Sequence, residues 1–295
     1  MALDLKTLSI FVKVGERLSF VRAAHELGMG QSGVSNAIAR LEAQLGVRLV
    51  ARTTRKVTLT EDGAALYERG RRILADLDEA ERALTQSGHA PTGRLRLDLP
   101  IVFGRLKIIP HLGAFEERYP GLRLEVSLTD RYVDLVEEGI DVAVRVGALD
   151  DSTLVARRLT HSQLCVYGAP SYLARRGRPS GPDDLAAHVR LPYMVRDTRV
   201  ARPWYFRRDG REVTIAPDAA MSFNDGSAII AAACAGLGLV QMNDYTADAA
   251  VAAGELVPLL QEFNPAATPI SLVYSPTRHL SPKVRVIADF LAARL

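Results

Sequence analysis

The stretch from Ser19 to Leu45, SFVRAAHELGMGQSGVSNAIARLEAQL, limits what this chain can become more than any other. Two short helical patterns meet at the turn Gly28-Met29-Gly30. The first opens on Ser19, a residue type whose hydroxyl caps a helix start. It places Phe20, Ala23, Ala24 and Leu27 at i, i+3, i+4 and i+7. Gly28 suits the left-handed conformation that ends a helix. The second pattern runs from Gln31 and stacks Val34, Ile38, Leu41 and Leu45 on one stripe. Its other stripe carries Gln31, Ser32, Ser35, Asn36 and Arg40. The small pair Ala23-Ala24 lets two helices cross closely. The arrangement predicts a helix-turn-helix, whose second helix enters the DNA major groove. Amphipathic helix pairs with a glycine turn also occur in proteins that never meet DNA. The polar stripe favours the DNA reading, because Gln and Asn can read adenine edges bidentately and Ser can serve either partner. A merely solvated face more often carries Glu and Lys pairs.

The charge distribution points the same way. The net charge of the 295 residues is only +3. Residues 1–60 hold nine Lys and Arg against four Asp and Glu, so the basic excess sits with the motif, as a phosphate-binding footprint should. About half the chain is apolar, enough for two or three cores. After Gly46, the residues Val47, Leu49, Val57 and Leu59 suggest two short strands around Arg52-Thr53-Thr54-Arg55. That is a wing whose basic tip, with Arg52, Thr53 and Arg55, meets the DNA backbone or minor groove. Residues 4–16 form a supporting helix, with Leu5, Leu8, Phe11 and Val12 facing inward.

These elements, with Leu8-x-x-Phe11-Val12, Ser19-Phe20, Ala23-Ala24, Gln31-Ser32, Val34-Ser35, Leu41-Glu42, Leu45-Gly46, Arg52-Thr53-Thr54-Arg55 and Leu59-Thr60-x-x-Gly63, resemble the LysR-type transcriptional regulators. The match runs without a gap through roughly the first sixty-five residues. Two positions depart from the family pattern. Val50 stands where Phe is usual, and Asn36 where many members carry Arg or Lys.

Thr60 is a candidate cap for a long helix reaching about Gln86, with Glu61 and Asp62 in its first turn. Leu66, Gly70, Ile73, Leu77, Ala80 and Leu84 alternate four and three apart, which predicts a coiled-coil seam pairing two chains. At ~1.5 Å per residue the rod is about 39 Å long. Gly70 reads as a weak spot in that seam. The expected organisation is a winged helix-turn-helix over residues 1–60, a linker helix over 61–87, a hinge over 88–93 and a two-lobed α/β unit over 94–295. Lobe I takes 94–162 and 269–295, and lobe II takes 163–268.

From Arg94 the period changes. Strands are expected at Leu95–Leu99, Leu122–Leu128 and Asp141–Val146, with helices at Gly104–Tyr119 and Tyr132–Glu138 between them, so the sheet should be parallel. Leu106, Ile109, Leu112 and Phe115 are expected to face inward. In lobe II, Met221–Phe223 reads as a strand stopping at Asn224-Asp225, before a helix from Ala228. The phrases FGRLKIIPHLGAFEERYPGLRLEVSLTDR, GIDVAVRVG and APSYLARRGRP resemble the effector domain of the same family, built like a periplasmic solute-binding protein.

Topology and resemblance together imply an effector cleft beyond the carboxyl ends of the strands. Its expected lining is Ile101, Val102, Phe103, Asp130, Arg145 and Gly147 from lobe I, with Asn224, Asp225 and Gln241 from lobe II. Arg145 is read either as a ligand contact or as an internal pair with Asp141 or Asp130. The resemblance implies a DNA-binding regulator that recognises an inverted-repeat operator. It also implies a homodimer through the linker helix, a homotetramer through the effector domains, and a small-molecule effector. Phe103-Gly104-Arg105 resembles a branch with small pockets, which leaves an effector-independent repressor with a vestigial cleft as the alternative.

No catalytic cluster, phosphate loop, metal-ligand spacing or cofactor motif stands out among the residues, so neither an enzyme nor a cofactor is expected. Cys165 and Cys234 form no Cys-x-x-Cys pair and read as free thiols, each in an apolar run. Asp4 and Lys6 interrupt any signal-peptide core, and no apolar run is long enough to span a membrane. A cytoplasmic protein is the expectation.

Overall fold

The computed structural model describes residues 3–52, 57–85, 90–149, 154–195, 199–216, 221–276 and 281–295. For Arg52, Asp76 and residues 78–85 the backbone alone is described. The chain divides into two compact units, Met1–His89 and Ala90–Leu295.

In the first unit three helices pack round one apolar core: α1 (Leu5–Arg17), α2 (Phe20–Glu26) and α3 (Gln31–Leu45). Asp4 caps α1 by accepting from the Thr7 amide at 2.7 Å, and Ser19 caps α2 through the Arg22 amide at 3.3 Å. Gly46, at φ +72°, closes α3 in the left-handed region. Val34, Ile38 and Leu41 of α3 are buried with Phe11, Ala23 and Ala24, so the close helix crossing is present. Leu5 and Leu45, at the ends of their stripes, are exposed instead. The hairpin β1 (Val50–Arg52) and β2 (Val57–Leu59) follows, and α4 (Glu61–Thr85) leaves it. Glu42 fixes the start of this hairpin: its Oε1 accepts from the amides of Leu49 and Val50 at 2.8 and 3.0 Å. The Thr60 hydroxyl donates to the Arg48 carbonyl at 2.6 Å and accepts from the Gly63 amide at 3.0 Å, so it both caps α4 and ties it to the hairpin.

The expected seam on α4 divides in two. Leu66, Tyr67 and Leu74 join the core of the first unit. Gly70 lies against α1, where a Cβ would come within 2.7 Å of Leu8 and 2.9 Å of Val12. It is a close-approach glycine, not a defect in a seam. Ile73 and Leu77 lie off that contact and are 48% and 38% exposed.

The second unit holds two sheets. In lobe I, β3 (Gly93–Leu99) pairs in parallel with β4 (Leu122–Leu128) and β5 (Val142–Val146). The sheet is completed by β6 (Val155–Ser162), unforeseen in the sequence, and by β13 (Thr268–Tyr274), which lies between β5 and β6 and runs antiparallel to both. The return of β13 and of α10 (Pro282–Ala292) to this lobe is as expected. Lobe II is a four-stranded sheet of order β12-β7-β11-β8: β7 (Leu164–Gly168), β8 (Arg190–Leu191), β11 (Leu239–Asn243) and β12 (Val257–Leu259). Helices α7 (Pro170–Arg176), α8 (Gly226–Cys234) and α9 (Asp244–Ala252) accompany it, with the hairpin β9 (Trp204–Arg208) and β10 (Arg211–Ile215).

Three expectations fail, each for a local reason. The helical run after β3 is not one helix. It is a turn of α5 (Ile101–Phe103), a π-turn Gly104–Ile108, a 3-10 turn Ile109–His111 and α6 (Leu112–Arg118). Pro110 supplies no amide donor, and the wider π-turn shifts the phase. Phe103, Ile108 and Phe115 therefore face the core, while Leu106 and Ile109 are exposed. Between β4 and β5 there is no helix. Asp134 Oδ1 accepts from the amides of Val136 and Glu137, and Gly139 at φ +64° ends this single turn. Met221–Phe223 is not a strand; Phe223 alone bridges to Tyr193.

Candidate functional site

Two places in the described residues present functional chemistry. The first is the outer face of α3. Burial of Val34, Ile38 and Leu41 turns the opposite stripe outward. Gln31, Ser32, Asn36 and Arg40 are exposed, and Ser35 is half-buried with its own partner. Exposed polar side chains thus follow one another along one face of the helix. β1 ends at Arg52, and Arg52 pairs with Val57 across the hairpin. Thr53 and Arg55 of the expected wing tip lie outside the described residues.

The second place is a cavity of about 220 Å³ between the lobes of the second unit. Strand polarity puts it there: Pro100, Thr129 and Val146 stand at the carboxyl ends of β3, β4 and β5. Lobe I contributes Val102, Phe103, Asp130, Arg131, Tyr132 and Arg145 to the lining. Lobe II contributes Tyr193, Arg202, Gly226, Met242, Asn243, Tyr245 and Thr246. At the floor the lobes touch closely. A Cβ on Gly226 would meet Val102 Cγ2 at 2.7 Å, and the Phe103 ring stands edge-on to that of Tyr245 at 5.1 Å. Arg105 donates to Ser227, and Lys107 pairs with Asp248 at 2.7 Å, so lobe I is tied to α8 and α9 beside the cavity.

The cavity walls are held by polar contacts. Arg145 Nη1 donates to Asp98 Oδ2 at 2.9 Å, and both side chains are buried; Ser127 donates to the other Asp98 oxygen at 2.8 Å. The partner of Arg145 is therefore Asp98, neither Asp141 nor Asp130. Asp130 accepts from the Ile101 amide at 2.9 Å and from the Tyr193 hydroxyl at 3.3 Å, linking the lobes. The Ile101 amide is thus taken by the protein itself. Burial pushes the Tyr245 phenol up to about 12, so it stays protonated, with Asn243 donating to it at 3.1 Å. Burial also lowers the pKa of Arg202, because charge is disfavoured where water is excluded.

Of the nine residues expected here, Val102, Phe103, Asp130 and Arg145 line the cavity. Five do not. Ile101 gives its amide to Asp130. Gly147, at φ +120°, makes a turn and donates to the Pro269 carbonyl. Asn224 is exposed on the surface. Asp225 caps α8, accepting from Ser227 and Ala228. Gln241 is buried and bonds both backbone groups of Tyr205, at 2.9 and 2.7 Å, fastening β9 to the sheet. The lining residues outside the expected set include Pro100, Thr129 and Val146 at the ends of β3, β4 and β5, Arg131 and Tyr132 in the turn after β4, Gly226 at the start of α8, and Met242 of β11. Asn243, Tyr245 and Thr246 lie at or just after the end of β11, so the strand-end rule applied to lobe II would have found them. Tyr193 and Arg202 come from irregular backbone and carried no periodic signal.

The thiols follow expectation: Cys165 is buried and Cys234 half-buried, and burial pushes both up. Among the described residues no group of acids, His and Cys could hold a metal ion, and no helix is long and apolar enough to cross a membrane.

The sequence and the fold match known proteins. Residues 5–64 match the family model for bacterial regulatory helix-turn-helix proteins of the lysR family, and residues 88–295 match that for the LysR substrate binding domain. A transcriptional repressor of Pseudomonas aeruginosa is 37% identical over 97% of this chain and 90% of its own length. The regulator CrgA of Neisseria meningitidis is 36% identical over 100% of this chain and 98% of its own. The solved structure of CrgA covers 99% of both chains at a TM-score of 0.63 and 34% identity. The full-length structure of AphB, a virulence activator of Vibrio cholerae, gives 0.61 at 26% identity over 99% of this chain and 100% of its own. With an amino-terminal DNA-binding helix-turn-helix followed by a two-lobed substrate-binding domain, this chain belongs to the LysR family of transcriptional regulators.

Proposed function

We propose that this regulator binds an inverted-repeat operator through the α3 face and that a small molecule in the inter-lobe cavity controls it. The observation that carries this reading is the cavity itself, which sits at the carboxyl ends of three strands and has polar groups of both lobes in its walls. It also favours effector control over a vestigial cleft, since a vestigial cleft would be filled by side chains.

In this reading Gln31, Ser32, Ser35, Asn36 and Arg40 contact base edges and phosphates. Arg52, Thr53 and Arg55 of the wing meet the DNA backbone. The heads occupy residues 1–60, the linker 61–87 and the hinge 88–93. Two chains pair through Ile73 and Leu77 of α4, the apolar side chains that α1 leaves exposed, and the second units join dimers into a homotetramer. Half-sites then lie about 34–36 Å apart, or a multiple of that. An effector shifts the heads only by binding one arrangement more tightly than the other, a coupling of about 1–3 kcal/mol.

The test has two arms. Genomic DNA fragments captured by the purified protein are sequenced, and an inverted repeat should recur among them. Affinity for that fragment is then measured while small-molecule fractions of a cell extract are added. Fragments with no shared sequence would end the operator reading. An affinity that no fraction alters would end effector control.

A further inference from the structure

One acid of α3 is turned away from water. Glu42 continues the row of Gln31, Ser35 and Ile38 along the helix, spaced four, three and four, but its side chain is only 10% exposed. A carboxylate withheld from water is costly unless donors meet it. Here the donors are the backbone amides of Leu49 and Val50, at 2.8 and 3.0 Å from one oxygen. The other oxygen has the Arg48 guanidinium at 3.5 Å, but that side chain is 84% exposed, and such a pair contributes little. The carboxylate therefore binds the backbone where the hairpin begins, and it does so from the helix that carries the proposed base contacts.

The same stretch of backbone is held from a second side. Leu49 and Val50 bury their side chains in the core of the first unit. The Leu49 carbonyl accepts from the Thr60 amide at 3.0 Å, and the Thr60 hydroxyl donates to the Arg48 carbonyl at 2.6 Å. The hairpin is thus anchored to the start of α4 whether or not Glu42 is present, and Glu42 adds the tie to α3. Distances make that tie matter. Gln31 lies eleven residues before Glu42, about 16 Å along the helix axis. Arg52 lies two residues beyond Val50, about 7 Å along the strand. A guanidinium–phosphate contact forms over ~2.7–2.9 Å, so a hairpin free to swing at its root holds Arg52 on a phosphate only part of the time.

We propose that Glu42 is a positioning residue for DNA binding: it touches no DNA, and it fixes the wing to the recognition helix so that Arg52 meets a phosphate while α3 lies in the groove. The sign of the expected effect separates this role from simple electrostatics. Removing an acid from a DNA-binding head should strengthen binding, because phosphates repel it. Removing this one weakens binding when the hydrogen-bond acceptor goes with the charge. The inference rests on the wing contact proposed above and adds the residue that aims it.

The test is a salt titration of affinity for a random-sequence DNA duplex, with the full-length protein and its variants Arg52→Ala, Glu42→Ala, Glu42→Gln and the double variant Glu42→Ala with Arg52→Ala. Random DNA reads the phosphate contacts without the operator. Glu42→Ala should lower affinity about fivefold at physiological salt and make the slope of log affinity against log salt shallower by about 1, the weight of one phosphate. Arg52→Ala should do the same, and the double variant no more than either alone, as for two residues acting through one contact. Glu42→Gln loses the same charge but keeps an oxygen for both amides, so it should restore binding to the level of the unaltered protein or above it. Thermal unfolding without DNA checks that each variant folds. Should Glu42→Ala not fold, Glu42→Asp takes its place, since it keeps the charge and falls one methylene short of the amides. Glu42→Ala binding like Glu42→Gln would overturn the positioning role, as would losses that add in the double variant. Both results leave the wing contact standing where Arg52→Ala still flattens the slope. An unchanged slope in Arg52→Ala would overturn the wing contact itself, and this inference with it.

Discussion

The outer face of α3 and the walls of the inter-lobe cavity both present polar side chains, yet those side chains do different structural work. On α3 the scaffold is apolar: Val34, Ile38 and Leu41 hold the helix, and Gln31, Ser32, Asn36 and Arg40 stand exposed. In the cavity the scaffold is polar. Asp98 fixes Arg145, and Asp130 joins Ile101 of one lobe to Tyr193 of the other. A surface that must meet a large, fixed partner can be laid on a finished core. A pocket between two lobes has to be assembled and recognising at once. The comparison predicts that α3 substitutions cost recognition alone, while cavity substitutions cost stability as well.

The largest effect should come from the cavity side. Asp98→Ala leaves the Arg145 guanidinium buried without its carboxylate, and breaking one partner of a buried pair costs about 3–5 kcal/mol. Urea unfolding of the full chain measures it. A loss below about 1 kcal/mol would mean that water reaches Arg145, and the contrast between the two places would weaken. The first unit has its own sensitive point at Gly63, in the first turn of α4. A Cβ there would lie 1.9 Å from the Leu49 carbonyl oxygen, a backbone atom that cannot swing aside. Gly63→Ala should destabilise the first unit by about 1–3 kcal/mol or more through overpacking. Its melting transition should fall while that of the second unit holds. Unchanged melting would show that the hairpin yields more easily than its contacts imply.

How legible each place was follows from the same contrast. The α3 face lies within ten consecutive residues, so helical period alone separated Gln31, Ser32, Asn36 and Arg40 from Val34 and Ile38. The cavity draws on segments from Pro100 to Thr246. Strand-end reasoning reached Val102, Phe103, Asp130 and Arg145 because they follow or end regular strands. It failed at Gln241, whose amide is spent on Tyr205, and at Tyr193 and Arg202, which no periodicity marks. In the fold, Gly70 was misread for a related reason. A heptad count assigns Leu66, Gly70 and Ile73 to one seam, but helix packing on α1 selects Leu66, Tyr67, Gly70 and Leu74. Pro110 and the π-turn before it displaced the expected inward face by similar local means.

A smaller and cleaner effect is expected from Gln31→Ala. The side chain is exposed at the start of α3, so unfolding should shift by no more than about 0.5 kcal/mol. Affinity for the captured operator should fall by about 1–3 kcal/mol, with relaxed preference at one base pair, and random DNA should bind as before. Equal losses on operator and random DNA would move Gln31 from base reading to phosphate contact. A large loss of stability would instead erase the distinction drawn between the two places.

The smallest effect should be that of Arg52→Ala, and it is the one that separates the two kinds of DNA contact. Arg52 closes β1 opposite Val57, next to the loop of the hairpin. On the proposed reading a cation there meets the sugar-phosphate backbone, where each neutralised phosphate releases condensed counterions. Its loss should weaken binding to operator and random DNA alike, and the slope of log affinity against log salt should become shallower by about 1. Base preference should not change, because phosphates carry no sequence information. An unaltered salt slope would remove Arg52 from the DNA contacts. An altered base preference would bring the wing into a groove, and recognition would then be shared between the helix and the hairpin.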